Sequence, residues 1–359
     1  LVAKTPNNME SKTKPKTEIA NKNKKYVIEL QHGKLTKPEF FDYLESKVFK
    51  TISKYKLVDK NDKICVAASG GKDSLTVLYL LKKYFQKCNF PKENLQALII
   101  DEGIKDYRSK TLDDLKIFCK EHDVPLTIAS FKKEYSKTLD EAYPIIHKKT
   151  KKKPCNICGV WRRNLLNTYA KKMGATKLAT GHNLDDESQA VIMNIFKANT
   201  KLAAKLGPMS GIKAHDGFVR RIKPLYLCSE KETRLYTFLK GFKVNYTQCP
   251  NVSLSYRSQI RDMLNDFEAK YPGTKNGIIR SFLDLMPMLR NRELEKDQSN
   301  SIPKNDHSPK TGPLSGTGLE TLPSKVSKKS ACEPNSCQVC QEPSSGDTCN
   351  ACKLKELIK

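Results

Sequence analysis

The chain has 359 residues, 38% of them hydrophobic, and a formal net charge of +26 from 65 Lys and Arg against 39 Asp and Glu. That length holds one large domain with appendages or two domains, and the charge points to an acidic polymer as partner, bound in a salt-sensitive way. No apolar run approaches the roughly 20 residues that span a bilayer and there is no signal-peptide core, which excludes a helical membrane protein and makes a soluble, cytoplasmic protein without a membrane partner the expectation. Twelve cysteines in such a chain argue for metal binding or catalysis rather than disulfides. The sequence opens on Leu1, with Met9 its first methionine, so a misassigned or truncated start is expected.

Residues 1–25 are rich in Lys, Asn and Thr and read as a disordered basic tail. Residues 26–62 form an N-terminal segment with a strand at Val27–Leu30, a turn at His32-Gly33 and a helix over Phe40–Ile52, where apolar residues recur at helical spacing. From Lys63 the pattern alternates strand and helix, which predicts an α/β fold with a parallel sheet and crossover helices over residues 63–298. Strands are expected at Lys63–Ala68, Leu95–Ile100, Val124–Ala129 and Thr176–Thr180, and helices from Leu75, over Thr111–His122, Trp161–Met173, Asp185–Lys197, Lys231–Leu239 and Tyr256–Lys270. Residues 299–330 carry Ser, Pro, Gly and Lys with few apolar residues and read as a linker to a separate module at 331–359.

Ser69-Gly70-Gly71-Lys72-Asp73-Ser74 stands between the first core strand and a helix. Two glycines let the backbone approach an anion, the helix N-terminus favours negative charge, and Lys72 and the two serines add charge and donors. The loop is too short for a Walker motif. It resembles the PP-loop of the adenylating ATP pyrophosphatases, a resemblance that implies an adenine nucleotide α-hydrolase-like domain cleaving ATP between its α- and β-phosphates. The nucleotide site is expected to comprise Ala68, Ser69, Gly70, Gly71, Lys72, Asp73, Ser74, Asp101, Gly181, Asp185 and Asp186, because these residues cluster at strand ends that share one crevice. Asp185 or Asp186, in Gly181-His182-Asn183-Leu184-Asp185-Asp186, holds Mg²⁺ on the phosphates in this reading.

Cys65, Cys88 and Cys119 lie in or near core elements and read as packing residues. Cys155 and Cys158 form a Cys-x-x-Cys that suits a redox pair, half a zinc site or part of an iron–sulfur site. Lys148, Lys149, Lys151, Lys152 and Lys153 precede it, five lysines in six positions, and are expected to lower the thiol pKa and to grip a phosphate backbone. A third thiol comes from Cys249 or Cys228; spacing does not choose. Cys337, Cys340, Cys349 and Cys352 have the paired spacing of a tetrahedral structural Zn²⁺ site, a zinc ribbon or knuckle without which so small a segment could hardly fold. Cys332 is left over.

SGGKDS, PCNICG, GHNLDDE, RIKPLY with SEKET, and QCP followed by the Tyr256 helix occur in order over roughly residues 26–290, with the doubled Cys pairs again at 337–353. Together they resemble the tRNA 2-thiouridine synthetases of the TtuA type, close to the cytosolic wobble-uridine thiolases. The resemblance implies a 4Fe-4S cluster on Cys155, Cys158 and Cys249, zinc on the last four cysteines, tRNA as substrate, a homodimer, and sulfide or a ubiquitin-like thiocarboxylate protein as sulfur donor. The catalytic set is then Cys155, Cys158, Cys249, Asp185 and Lys72, with a persulfide or disulfide relay as the alternative chemistry. Uridine 34 and uridine 54 are both compatible. Competing readings are 2-thiocytidine or lysidine synthesis, which keep the loop, and a non-catalytic tRNA-binding scaffold. The family's N-terminal zinc finger has no cysteines here before Cys65, and Thr36 stands where its second pair would begin, so a lost finger is expected.

Overall fold

The computed structural model describes residues 25–30, 33–212, 217–244, 246, 249–251, 256–299 and 335–359. The basic tail up to residue 24, the linker expected at 299–330 beyond its first residue, and Cys332 lie outside them. The chain divides into two compact units, residues up to Ser46 and residues from Lys47.

In the first unit β1 (Tyr26–Leu30) and β2 (Gly33–Thr36) pair antiparallel, Ile28 opposite Leu35 and Glu29 opposite Lys34. Helix α1 (Lys37–Lys54) follows at once. Thr36 donates from its amide and its hydroxyl to Glu39, each at 2.8 Å, so the residue at the expected finger position ties down the start of this helix.

The second unit is built on a five-stranded parallel sheet. Its strands are β3 (Ile64–Ala67), β4 (Leu95–Asp101), β5 (Leu126–Ser130), β6 (Lys177–Ala179) and β7 (Arg220–Ile222), in the spatial order β5-β4-β3-β6-β7. β3 is central and almost wholly buried, which is why it reads as an unbroken apolar run. The chain leaves β3 toward β4 and β5, then returns to lay β6 on the other side, so the order reverses between β3 and β6. Loops after those two strands open on the crevice where parallel sheets bind ligands.

Between the strands run α2 (Lys72–Lys87), α3 (Arg108–Glu121), α4 (Phe131–Tyr135), α5 (Leu139–Thr150), α6 (Pro154–Lys172), α7 (Leu184–Phe196) and α8 (Thr200–Ala203), and after them α9 (Glu230–Lys240), α10 (Tyr256–Lys270) and α11 (Thr274–Ser299). Helix α6 begins seven residues earlier than the apolar pattern from Trp161 suggests, with Pro154 at its first position, so Cys155 and Cys158 occupy its first turns. Among the described residues no helix is long and apolar enough to cross a membrane.

The four-cysteine module has a short hairpin, β8 (Asn335–Ser336) with β9 (Pro343–Ser344), and α12 (Asn350–Glu356). It does not stand apart. Cys337, Cys349, Ala351, Leu354 and Ile358 share one core with Ile146 of α5 and with Ile157, Cys158, Trp161 and Leu165 of α6. Trp161 is fully buried, stacked on Tyr135 at 4.3 Å and edge-on to Phe131 at 5.3 Å, and its indole N–H donates to the Ala351 carbonyl at 3.2 Å. Glu342 accepts from Asn167 and Thr168 of the same helix, and Lys149 donates to the Leu357 carbonyl at 2.8 Å.

Removing the indole leaves a cavity and an unmatched carbonyl. Trp161→Ala is expected to cost about 3–5 kcal/mol in urea unfolding and to make the four-cysteine module the first segment cut in limited proteolysis.

Candidate nucleotide and thiol site

The loop from Ala68 to Gly71 is shaped by close contact. Ala68 still belongs to the sheet, its N–H donating to Leu98 at 2.9 Å. Gly70 has φ +76°, and a Cβ there would stand 2.2 Å from the Thr111 methyl of α3. Within the loop the Ser69 N–H donates to Ser74 Oγ at 3.1 Å, and Ser74 Oγ donates to the Gly71 carbonyl at 2.9 Å. Gly71 caps α2 without a side chain over the helix end, leaving its first amides directed outward.

The second motif is pressed against this loop. A Cβ on Gly181 would lie 2.9 Å from the Ser74 nitrogen, so only glycine allows that approach. Asn183 caps α7 in a reciprocal box with Asp186 and donates to Asp73 Oδ1 at 3.3 Å. Thr233 of α9 donates to the same oxygen at 2.7 Å, and Lys72 pairs with Asp73 at 2.8 Å and Glu230 at 3.0 Å. Burial alone would lower the Lys72 pKa, but Asp73 and Glu230 outweigh it and hold it above its ordinary value.

Lys72, Asp73, Asn183, Asp185, Asp186 and Glu230 line a pocket of about 280 Å³, together with Arg257 and Arg261 of α10. The two aspartates differ. Asp185 is buried, with one oxygen on Lys275 and the other accepting the Glu230 N–H at 2.7 Å. Asp186 keeps about a third of its side chain open and lies 3.6 Å from Arg257. Loss of solvent around it raises its pKa, against the pull of Arg257 and the Asn183 N–H. His182 keeps surface open, yet loss of solvent around it and the charges of Lys223, Arg257, Arg221 and Arg162 push its pKa down, which favours the neutral ring. Asp101, at the end of β4, accepts the Gly103 N–H at 2.9 Å and so shapes the turn beside the loop.

The structure brings Cys249 to Cys155 and Cys158. The Cys155 thiol donates to the Asn251 carbonyl at 3.0 Å, and Cys249 joins the core around Cys158. Cys228 lies elsewhere, fully buried near Glu232 and Asp73, with burial raising its pKa far above the ordinary thiol value. The expected lowering of the thiol pKa by the lysine run does not occur at Cys158. Its thiol points into the core rather than toward Lys148–Lys153, which are exposed, and burial pushes it up to about 11 with only Arg162 opposing. Cys249 is raised for the same reason.

Among the described residues one set of ligands is drawn tightly together: the sulfurs of Cys337, Cys340, Cys349 and Cys352 lie within 4.8 Å of one another. The Cys349 N–H donates to Cys337 Sγ at 3.2 Å and the Cys352 N–H to Cys349 Sγ at 3.4 Å. Burial would raise the Cys337 pKa, but such donors bring it down to about 6, an environment made for a thiolate.

Spacing alone missed Glu230, Thr233, Lys275, Arg257 and Arg261. The last two sit four residues apart on a helix whose existence was legible, and that spacing was the available signal.

A family described as a PP-loop domain matches residues 43–267. The chain is 32% identical to the tRNA-5-methyluridine(54) 2-sulfurtransferase of Pyrococcus horikoshii, over 90% of this chain and 88% of that protein. It is 35% identical to the cytoplasmic tRNA 2-thiolation protein 1 of Caenorhabditis elegans, over 69% and 65%. Among solved structures it resembles the U34-tRNA thiolase NcsA from Methanococcus maripaludis with its 4Fe-4S cluster, at 35% identity and a TM-score of 0.64, covering 73% of this chain and 84% of that one.

The contacts at the loop distinguish its glycines. Gly70→Ala, forced into a positive φ against Thr111, is expected to cost about 1–3 kcal/mol in urea unfolding and to weaken ATP binding in calorimetry. Gly71→Ala meets only the Ser69 hydroxyl at 3.4 Å, and its expected cost is below about 1 kcal/mol.

Proposed function

The chain belongs to the PP-loop tRNA 2-thiolation proteins, and we propose that it converts a tRNA uridine to 2-thiouridine at the expense of ATP, with the residues of the crevice in the following roles. The observation that carries this reading is the convergence of Cys249 on the Cys155–Cys158 turn, beside a phosphate loop whose amides face the same end of the sheet.

ATP lays its phosphates over the amides of Gly70, Gly71 and Lys72 at the start of α2, with Lys72 as the point charge. Arg257 and Arg261, across the pocket, suit the departing pyrophosphate. Asp186 is the carboxylate open to the pocket and would hold Mg²⁺, which neutralises charge on the phosphates. Asp185, with both oxygens engaged, fixes Lys275 and the start of α9 instead. The C2 oxygen of the uridine attacks the α-phosphorus, the bond to the β-phosphate oxygen breaks, and pyrophosphate leaves. Donors already aimed at the phosphates meet the developing charge without reorganising. Sulfur at the sulfide level then attacks C2, and AMP departs with the original oxygen, so no electrons are exchanged.

Cys155, Cys158 and Cys249 fit a 4Fe-4S cluster, which with three protein ligands offers one iron for sulfide. Burial raises the pKa of Cys158 and Cys249, which favours the protonated form of those two thiols in the absence of metal. Cys337, Cys340, Cys349 and Cys352 fit zinc, and their N–H···S donors are in place before it binds. Lys148, Lys151, Lys152 and Lys153 lead into α6 and are offered to the tRNA backbone. The sulfur donor in this reading is sulfide or a ubiquitin-like thiocarboxylate protein. The compartment is the cytoplasm, as for the Caenorhabditis relative.

Incubating anaerobically reconstituted protein with unmodified tRNA, ATP, Mg²⁺ and sulfide is expected to give one oxygen-to-sulfur exchange in a uridine, read by nucleoside mass spectrometry and mapped to position 34 or 54. Cys155→Ala, Cys158→Ala and Cys249→Ala should each lower thiolation by at least about 100-fold while leaving the ATP Kd unchanged. Thiolation surviving in any of the three would reject the assigned ligand set.

A further inference from the structure

Glu102 follows β4 and is only 1% exposed. Its backbone is held from both sides. The Glu102 carbonyl accepts the Leu139 N–H at 2.8 Å, and at Gly103 a side chain would collide with Thr138 at 2.4 Å. Its carboxylate meets two cations that come from different places. Arg108, at the start of α3, donates from Nε to Oε2 at 2.6 Å, and a second guanidinium nitrogen lies 2.5 Å from that oxygen. The third nitrogen of Arg108 donates to the Ser69 carbonyl in the phosphate loop at 3.0 Å. Arg162, on α6 one turn beyond Cys158, lies 3.6 Å from Oε1. The chain of contacts therefore runs from Ser69 through Arg108, Glu102 and Arg162 to the turn that carries the cysteines.

A buried carboxylate is costly, and packed apolar residues of similar volume commonly serve stability as well or better. Its retention here calls for a job that apolar packing does not do. Arg108 reaches the carboxylate and a loop carbonyl together, which a planar fork permits and a point charge does not. The reaction supplies the job: C2 must be activated through an oxygen bonded to the α-phosphorus and then attacked by sulfur held at the cysteines. The two sites have to keep one fixed separation.

We propose that Glu102 is a positioning residue that holds the cysteine-bearing turn of α6 in register with the phosphate loop. It acts through Arg108 on one side and Arg162 on the other. The inference rests on the thiolation reading above, and its test separates the two.

The measurement is the stoichiometry of pyrophosphate released to 2-thiouridine formed, in the reconstituted enzyme with tRNA, ATP, Mg²⁺ and sulfide. Wild-type protein is expected to give a ratio near one. Glu102→Gln keeps the shape but turns an amide toward an arginine. It should leave pyrophosphate release within about threefold and lower thiolation roughly 10- to 100-fold, raising the ratio at least about threefold. Arg108→Lys keeps the charge but releases Ser69, and should raise the ratio likewise. A readout independent of turnover is hydrogen exchange of the metal-free protein, expected to speed up at residues 155–162 in both variants while α7 and α11 keep their protection. A ratio that stays near one, whether both products fall together or neither falls, overturns the proposal. So does loss of protection throughout the chain, which would make Glu102 a folding residue. Wild-type protein that releases no pyrophosphate with tRNA fails the thiolation reading instead.

Discussion

At Gly181 a side chain would place its Cβ 2.9 Å from the Ser74 nitrogen, and at Gly70 the same addition would come 2.2 Å from Thr111. Three chain segments are thus packed backbone to backbone at the open end of the sheet, and the site depends on that contact. It sets α2 and the start of α7 so close that one carboxylate, Asp73, serves Lys72 and Asn183 together, with Thr233 of α9 donating to it as well. The amides at the start of α2 are then fixed by the fold before any ligand arrives. Electrostatic stabilisation of a departing pyrophosphate relies on donors of that kind, because they need not reorganise during reaction.

The same region concentrates buried charge. Glu187 pairs with Lys223 at 2.7 Å, Glu232 with Lys47 at 2.8 Å, Asp185 with Lys275, and Glu102 with Arg108. Such pairs contribute little to net stability, since desolvation offsets most of their attraction. Their value lies in geometry: Lys47 of α1 is tied to α9, Lys275 of α11 to α7, and Arg108 to the end of β4. A chain with a net charge of +26 draws an acidic polymer to its surface, while its interior carboxylates decide where the cations around the pocket stand.

The sheet strands β3 and β4 and the two glycine-bearing loops were legible because local composition determines them: a buried parallel strand must be apolar, and a tight loop against a helix end must be glycine. Helices α5 and α11 were not. Pro144 and Pro287 sit inside them and mask the periodicity, and tertiary packing sustains them where propensity does not. Strand β7 is three residues, two of them arginine, and only its neighbour β6 makes it a strand. The thiol environment was misread for a related reason. Proximity in sequence placed the lysines beside Cys158, but a helix starting at Pro154 turns that thiol inward and the lysines outward. The Glu102 contacts join residues six and sixty positions apart, and spacing does not register such pairs.

Helix α6 connects these observations. An α-helix rises about 1.5 Å per residue and bends little over two turns, so whatever fixes Trp161 also fixes Cys155 and Cys158 ahead of it. Trp161 is held by the Ala351 carbonyl of the four-cysteine module on one side and by Tyr135 and Phe131 on the other. Arg162, the next residue, faces Glu102 and through it the phosphate loop. The terminal module is therefore packed directly on the helix that carries Cys155 and Cys158. Its four sulfurs set the module's shape, the module sets the helix, and the helix presents two thiols to the third at Cys249.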